Sequence, residues 1–393
     1  MENFEYYNPV KVVFGDGVLP QIGAYAAAYG KKAMLVTYTE CQYFSKTIDI
    51  IHKSMEKAGV TCIDYMGVTA NPKLSQAKRG VELCKENGVD MLIALGGGSA
   101  IDCTKVIAAG VYYAHDMSRM LMLSHSDVTA IPPTRALPYI AIPTLAGTGS
   151  EMNPIGVITD DESGKKSYVW EPGCLYAKVA VMDPGLTTSL PSYQTACGGY
   201  DIVAHVMEAY INGNPAVNLT LHDRMHEGVI RGTLEALEQV WKAPADVQAR
   251  GVLMWAAAIA LNGWMTSGTF GFTPMHQMGH VLSAHYNATH GATLACMMVS
   301  WMRYFVKRPD NYKYVRFAKE IFGCELAEAA DRFEKMMRDK GVQTRISQFG
   351  ATEADLDILT DEVVTVSFGS DGKLNGFPKM TREDIYNCYR LAL

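Results

Sequence analysis

The chain has 393 residues, room for about two domains at ~100–200 residues each. Hydrophobic residues make up 48% and charged ones 19%, below the ~25% of an average soluble domain, which leaves apolar material for a large core and an oligomer interface. The balance of 35 Lys+Arg against 41 Asp+Glu gives −6 with no basic run, which argues against a nucleic-acid or acidic-membrane partner.

The opening Met1-Glu-Asn-Phe-Glu is acidic and lacks an apolar core, so no secretory signal is expected. The longest apolar helix-like stretch, Val252 to Leu261, is about half of what a bilayer span requires. Nine scattered cysteines without CxxC point to a cytoplasmic protein rather than a disulfide frame or a cysteine zinc site.

Along the first half, short apolar runs alternate with helical segments. Lys11-Val-Val-Phe-Gly and Ala33-Met-Leu-Val-Thr read as strands, and Phe44 to Ala58 as an amphipathic helix. Val60-Thr-Cys-Ile-Asp-Tyr is a third strand, followed after Asn71-Pro72 by a helix to about Asn87. Met91-Leu-Ile-Ala-Leu, Leu137-Pro-Tyr-Ile-Ala-Ile and Lys178-Val-Ala-Val-Met complete the set. Strands with so few charges, joined by helices, predict an α/β fold with an open parallel sheet covered on both faces. After Asp183-Pro-Gly the pattern turns helical: Ser192–Ile211, Ala216–Trp241, Ala245–Met265, Met275–His285, Ala292–Arg308 and Leu326–Lys340. The expected organisation is an α/β domain over 1–187 and an all-α domain over 188–393.

Two glycine-rich loops follow strands. Leu95-Gly96-Gly97-Gly98-Ser99 opens a helix, where close backbone approach and free N–H groups suit a phosphate. It departs from GxGxxG, since Ile101 stands at the third glycine. Ala146-Gly147-Thr148-Gly149-Ser150-Glu151 is the second loop, and two such loops at neighbouring strand ends would face one crevice.

Four of ten histidines, His276, His280, His285 and His290, fall within fifteen residues. Asp201 and His205 stand four apart in an apolar helix, one turn apart on one face, where a buried carboxylate calls for a cation or hydrogen bonds. A carboxylate with several imidazoles suits Fe2+ or Zn2+, although spacing leaves open which clustered histidines are ligands. His222 and His226 share the four-residue spacing but lie among Asp223, Arg224 and Glu227, and read as a solvated helix face. His52, His115 and His125 have no partner arrangement.

Taken together, these motifs resemble the iron-containing (group III) alcohol dehydrogenases, and within them the butanol-dehydrogenase-like aldehyde reductase branch. The resemblance runs through Asn8-Pro-Val-Lys-Val-Val-Phe-Gly, Gly96 to Lys105, Pro143 to Glu151, Asp201 to His205, Met254 to Gly263 and His276 to Gly291. It implies a Rossmann-like first domain, a helical second domain of dehydroquinate synthase-like architecture, and an active site between them. It also implies Asp201, His205, His276 and His290 as metal ligands and His280 as a non-ligand histidine near the substrate. Gly97, Gly98, Ser99, Asp102, Thr144, Thr148, Asn71 and Lys166 match coenzyme contacts, whereas Leu145 replaces a usual threonine. His285 departs from the pattern; it either lines the pocket, admitting a polar or anionic aldehyde, or makes a spare polar contact.

Glu40, after the second strand, could accept from a ribose 2′-OH and would repel a 2′-phosphate, so NAD(H) is favoured over NADP(H). The expected function is reversible, metal-dependent hydride transfer between a nicotinamide and a small aldehyde or primary alcohol, with His280 as proton relay. Trp264, Phe270 and Phe272 either wall the pocket or pack ordinarily. A dehydroquinate-synthase-like or glycerol-dehydrogenase-like enzyme is the alternative, although the basic cluster a synthase needs for a phosphate is not seen near the metal motifs. A homodimer or higher homo-oligomer is expected.

Overall fold

The structure, a computed structural model, describes residues 1–122, 129–269 and 271–393. Strands β1 (Lys11–Phe14), β2 (Lys32–Tyr38), β3 (Thr61–Val68), β4 (Met91–Gly96) and β5 (Tyr139–Pro143) are followed by β6 (Ile155–Thr159), β7 (Lys166–Trp170) and β8 (Val179–Met182). Six of them form one parallel sheet in the order β1-β8-β5-β4-β2-β3. Helices α1 (Ile22–Ala26), α2 (Ser45–Lys57), α3 (Leu74–Asn87) and α4 (Gly98–Gly110) cover it.

The period-2 alternation of the strands separates two cores. Met34, Val36, Leu92 and Ala94 pack with Ile101 and Val106 of α4 and Ala77 of α3. Ala33, Leu35, Ile93 and Leu95 face the other way, onto Ile22 of α1 and Ile51 and Met55 of α2. The chain leaves β2 toward β3 and leaves β4 in the opposite direction, toward β5. The β2–β4 boundary is therefore a topological switch point, with the loops after Tyr38 and Gly96 at its mouth.

The antiparallel hairpin β6–β7 is absent from the sequence reading. Its short strands alternate buried and half-buried residues, and Asp160 closes the turn by accepting from the Ser163 hydroxyl at 2.7 Å. Beneath it lies Lys105, fully buried, whose ammonium donates to the Ile155 carbonyl at 2.6 Å, Ser150 Oγ at 2.8 Å and Asn153 Oδ1 at 3.1 Å. Burial lowers this lysine to about 8, against the pull of Asp102 and Glu151.

The second half is helical: α5 (Ser192–Ile211), α6 (Thr220–Lys242), α7 (Val247–Leu261), α8 (Pro274–Tyr286), α9 (His290–Phe305), α10 (Tyr312–Phe317), α11 (Leu326–Asp339), α12 (Leu356–Ser367) and α13 (Arg382–Ala392). Helix α5 is the axis of this half, buried continuously from Thr195 to Ile211. Among the described residues, no helix is long and apolar enough to cross a membrane.

One expectation needs correction. His222 and His226 are buried, not solvated: their Nε2 atoms meet the carbonyls of Ser267 (2.7 Å) and Met265 (3.0 Å). Asp223 and Glu227 are buried too, because α10 brings Lys313 onto Asp223 and Arg316 onto Glu227 (2.9 Å), whereas Arg224 is exposed. Of the aromatic residues left open, Trp264 is 54% exposed and packs beside Tyr6, whereas Phe272 lines a cavity. Phe270 and His125 lie outside the described residues.

Candidate metal and coenzyme site

Helix α5 presents Asp201, His205 and Glu208 along one face, at i, i+4 and i+7. Helix α8 is fixed against it by its own first turn. Glu208 Oε1 accepts from the backbone N–H groups of Met275 (2.5 Å) and His276 (3.2 Å), and Oε2 accepts from His276 Nδ1. That contact puts the ring proton on Nδ1 and leaves Nε2 as a donor atom for an electrophile. Helix α9 begins at His290, and Gly291 sits so close to α5 that a Cβ there would lie 2.1 Å from the Cys197 carbonyl oxygen.

Three helices thus bring Asp201, His205, His276 and His290 together. Asp201 Oδ1 lies 3.7 Å from His205 Nδ1, from His276 Nε2 and from His290 Nε2. Donor atoms of Asp201, His276 and His290 all fall within 4.8 Å of one another. Asp201 Oδ1, His205 Nδ1 and His276 Nε2 are buried without a hydrogen-bond partner, a costly arrangement unless a cation joins them. Donors bound tetrahedrally at ~2.1 Å stand about 3.4 Å apart, so Asp201, His276 and His290 fit a divalent ion, with His205 beside them at Asp201 Oδ1.

The electrostatics agree with a set of mostly neutral imidazoles. Burial pushes His205 down to about 4 and His290 well below the ordinary imidazole range. For His276 burial acts in the same direction, but the carboxylates of Glu208 and Asp201 outweigh it and raise the group to about 9. His280 is no part of the donor cluster. It stacks on His290 at 5.0 Å between ring centroids, half-buried, and lines a cavity with Lys166 and Gln277.

The expected coenzyme residues gather on the same side, except one. Gly98 opens α4, and a Cβ on it would lie 2.6 Å from Thr148 Oγ1, so glycine is what lets the two loops close on each other. Gly97 N–H donates to the Tyr38 hydroxyl at 3.1 Å, and Thr144 N–H donates to the Gly96 carbonyl at 3.0 Å. Ser99 follows in the first turn of α4, and Asp102, one turn on, accepts from Ser150 Oγ at 2.5 Å. Lys166 donates to Asn71 Oδ1 at 3.2 Å; burial lowers it, while Asp102 and Asp201 pull it upward from either side. Glu40 stands apart, exposed beyond the end of β2 at the switch point. The two halves of the site approach each other closely: a Cβ on Gly147 would lie 3.3 Å from Asp201 Oδ2.

The sequence profile of iron-containing alcohol dehydrogenases matches residues 9–184, and that of the family's C-terminal region matches residues 195–393. The chain belongs to the iron-containing alcohol dehydrogenase family. Among family relatives, it is 33% identical to the probable NADH-dependent butanol dehydrogenase 2 of Bacillus subtilis, over 100% of both chains. It is 26% identical to the NADPH-dependent aldehyde reductase YqhD of Escherichia coli, over 91% of this chain and 92% of that one. The crystal structure of NADH-dependent butanol dehydrogenase A from Thermotoga maritima superposes with a TM-score of 0.91 at 32% identity, covering 100% of this chain and 99% of that one.

Reading the sequence missed Glu208 and Tyr38. Glu208 carried a signal: an acidic residue in the apolar helix, seven residues after Asp201 and therefore on its face. Tyr38 carried none, because a tyrosine closing a strand does not announce a bond to a loop 59 residues away. His285 proves to be a surface residue, paired with Glu362 of α12.

Proposed function

We propose that this iron-containing alcohol dehydrogenase interconverts a small aldehyde and its primary alcohol: aldehyde + NADH + H+ ⇌ alcohol + NAD+. The observation that carries the reading is the close approach of the second glycine loop to Asp201, which supports one site for the coenzyme loops and the donor cluster. Asp201, His205, His276 and His290 would hold one divalent ion, Fe2+ or Zn2+, between a nucleotide-binding half (1–187) and a helical half (188–393). When bound, the nicotinamide supplies or takes the hydride and the ion supplies Lewis acidity toward the substrate oxygen.

The chain's own residues supply the rest. Glu208 orients His276. The amides that open α4 at Gly98 and Ser99, with the helix dipole, favour the coenzyme's phosphates. His280, stacked on His290 and lining the cavity, would carry the proton that the oxygen gains on reduction and loses on oxidation.

Glu40 at the exposed end of β2 supports NADH as coenzyme, since its carboxylate would accept from a ribose 2′-OH and repel a 2′-phosphate. Nine free cysteines support a reducing, cytoplasmic setting. The free edge of β1, beside exposed Phe14, Val252 and Trp255, supports a homo-oligomer. Among the described residues lining the cavity at His280, Lys165 and Lys166 are the only lysines or arginines, too few for the phosphate a synthase must grip.

Reduction of butanal with NADH deuterated at C4 tests the chemistry. Direct transfer predicts 1-butanol deuterated at C1; alcohol without label from the transferring face contradicts it.

A further inference from the structure

We propose that His52, Cys62 and Asp64 form a second metal site, on the edge of the sheet, that takes a thiophilic divalent cation such as Zn2+. Strand β3 ends the parallel sheet on one side. Cys62 and Asp64 stand two residues apart on it, so both side chains leave the same face. Helix α2 covers that face: Cys62 packs against the core that Ile48, Ile51 and Met55 of α2 help to build. His52, which has no partner along the sequence, follows Ile51 and reaches the strand, with its Nε2 2.8 Å from Asp64 Oδ1. Donor atoms of His52, Cys62 and Asp64 all fall within 4.8 Å of one another. Among the described residues, this is the only such group that contains a cysteine.

The His52 ring and the Asp64 carboxylate need part by only about 0.6 Å to reach the ~3.4 Å that separates tetrahedral donors. Their side chains are 36% and 32% exposed, which gives them room to move and an ion a way in. Burial, with the Asp64 carboxylate beside it, pushes the Cys62 thiol up to about 12, so the sulfur holds its proton at neutral pH. The hydrogen bond it donates to the Ile63 carbonyl is long, 3.8 Å. A bound divalent cation displaces that proton and takes the thiolate. Met66, next in the same row of β3, is engaged by the Cys41 thiol at 3.3 Å, so the chain offers three donors and leaves the fourth position to water. One sulfur, one nitrogen and one carboxylate oxygen favour Zn2+ over Fe2+, whereas the set around Asp201 contains no sulfur. An ion held there would join α2 to the edge strand.

Co2+ is the probe, because a cobalt–thiolate bond absorbs in the near ultraviolet and the nitrogen and oxygen donors around Asp201 give no such band. The full-length enzyme, freed of metal and titrated with Co2+, should take two ions per chain and develop thiolate absorption with one of them. Because that ion displaces the thiol proton, its affinity should rise with pH. Cys62→Ser should abolish the absorption and lower the count to one ion. His52→Gln, which leaves the thiol in place, should weaken the absorbing ion by at least about tenfold, since losing even an outer partner of a ligand costs that much. The ion at Asp201 should remain in both variants, which verifies their fold. One ion per chain without thiolate absorption, absorption unchanged in Cys62→Ser, or affinity unchanged in His52→Gln would overturn the proposal and leave the dehydrogenase reading intact.

Discussion

Glu208 of α5 and His276 of α8 are joined side chain to side chain, and the same carboxylate takes the first two backbone N–H groups of α8 that follow Pro274. One fully buried residue therefore sets the tautomer of a donor imidazole, seats its helix and satisfies amides that a helix N-terminus leaves without partners.

Glu208→Ala should weaken metal retention by about 10–100-fold, the usual cost of losing an outer partner of a ligating histidine. Titration against a competing chelator measures it. Glu208→Gln, which keeps an acceptor, should lose less; equal retention in wild type and Glu208→Ala would remove the orienting role.

His280→Ala should keep the metal and lose turnover, by about 10²–10⁴-fold, if the imidazole moves the proton. His276→Ala should instead lose metal and turnover together. A His280→Ala enzyme that turns over at the wild-type rate would end the relay assignment.

Gly291→Ala would drive a methyl into the Cys197 carbonyl oxygen, 2.1 Å from its ideal position. Overpacking of this kind costs about 1–3 kcal/mol, and here it pushes His290 away from Asp201. Thermal melts and metal content should fall together; a stable, fully loaded Gly291→Ala protein would show that α9 does not rest on α5 in this way.

Acid should act through His226. Burial holds this imidazole near 4 against an ordinary 6.5, with His222 and Lys313 adding to the shift and the Met265 carbonyl and Glu227 opposing it. Its Nδ1 is buried without an acceptor, so a second ring proton has nowhere to bond. Between those two values the unfolded chain holds the extra proton, so stability falls as pH drops from about 6.5 to about 4, by up to about 3 kcal/mol. His226→Gln, which can still donate to Met265, should flatten that slope in urea unfolding at pH 7 and pH 5. An unchanged slope would contradict the assignment.

What the sequence discloses follows from how each signal is made. The sheet was legible because runs such as Met91 to Gly96 are buried on both faces and carry no charge. Helix α13 was overlooked although Ile385, Cys388, Tyr389 and Ala392 keep helical spacing, because its exposed face is densely charged and lowers the mean hydropathy. The β6–β7 hairpin escaped because Ser167 and Lys166 do not look like strand interiors until Lys105 is seen beneath them. His222 and His226 misled for the opposite reason: an ion-pair network under α10 has the composition of a surface. Local spacing placed Asp201 and His205 on one helix face, but the approach of His276 and His290 depends on Glu208 and Gly291, contacts between helices that spacing along one helix cannot encode.

The central claim, a divalent ion and a nicotinamide coenzyme serving one site, is tested most directly by oxidation of NADH, and separately NADPH, with butanal before and after chelation. Turnover lost on chelation, restored by Fe2+ or Zn2+ and faster with NADH is the predicted result. Turnover that survives complete metal removal would contradict the role given to Asp201, His205, His276 and His290, and faster turnover with NADPH would contradict the role given to Glu40.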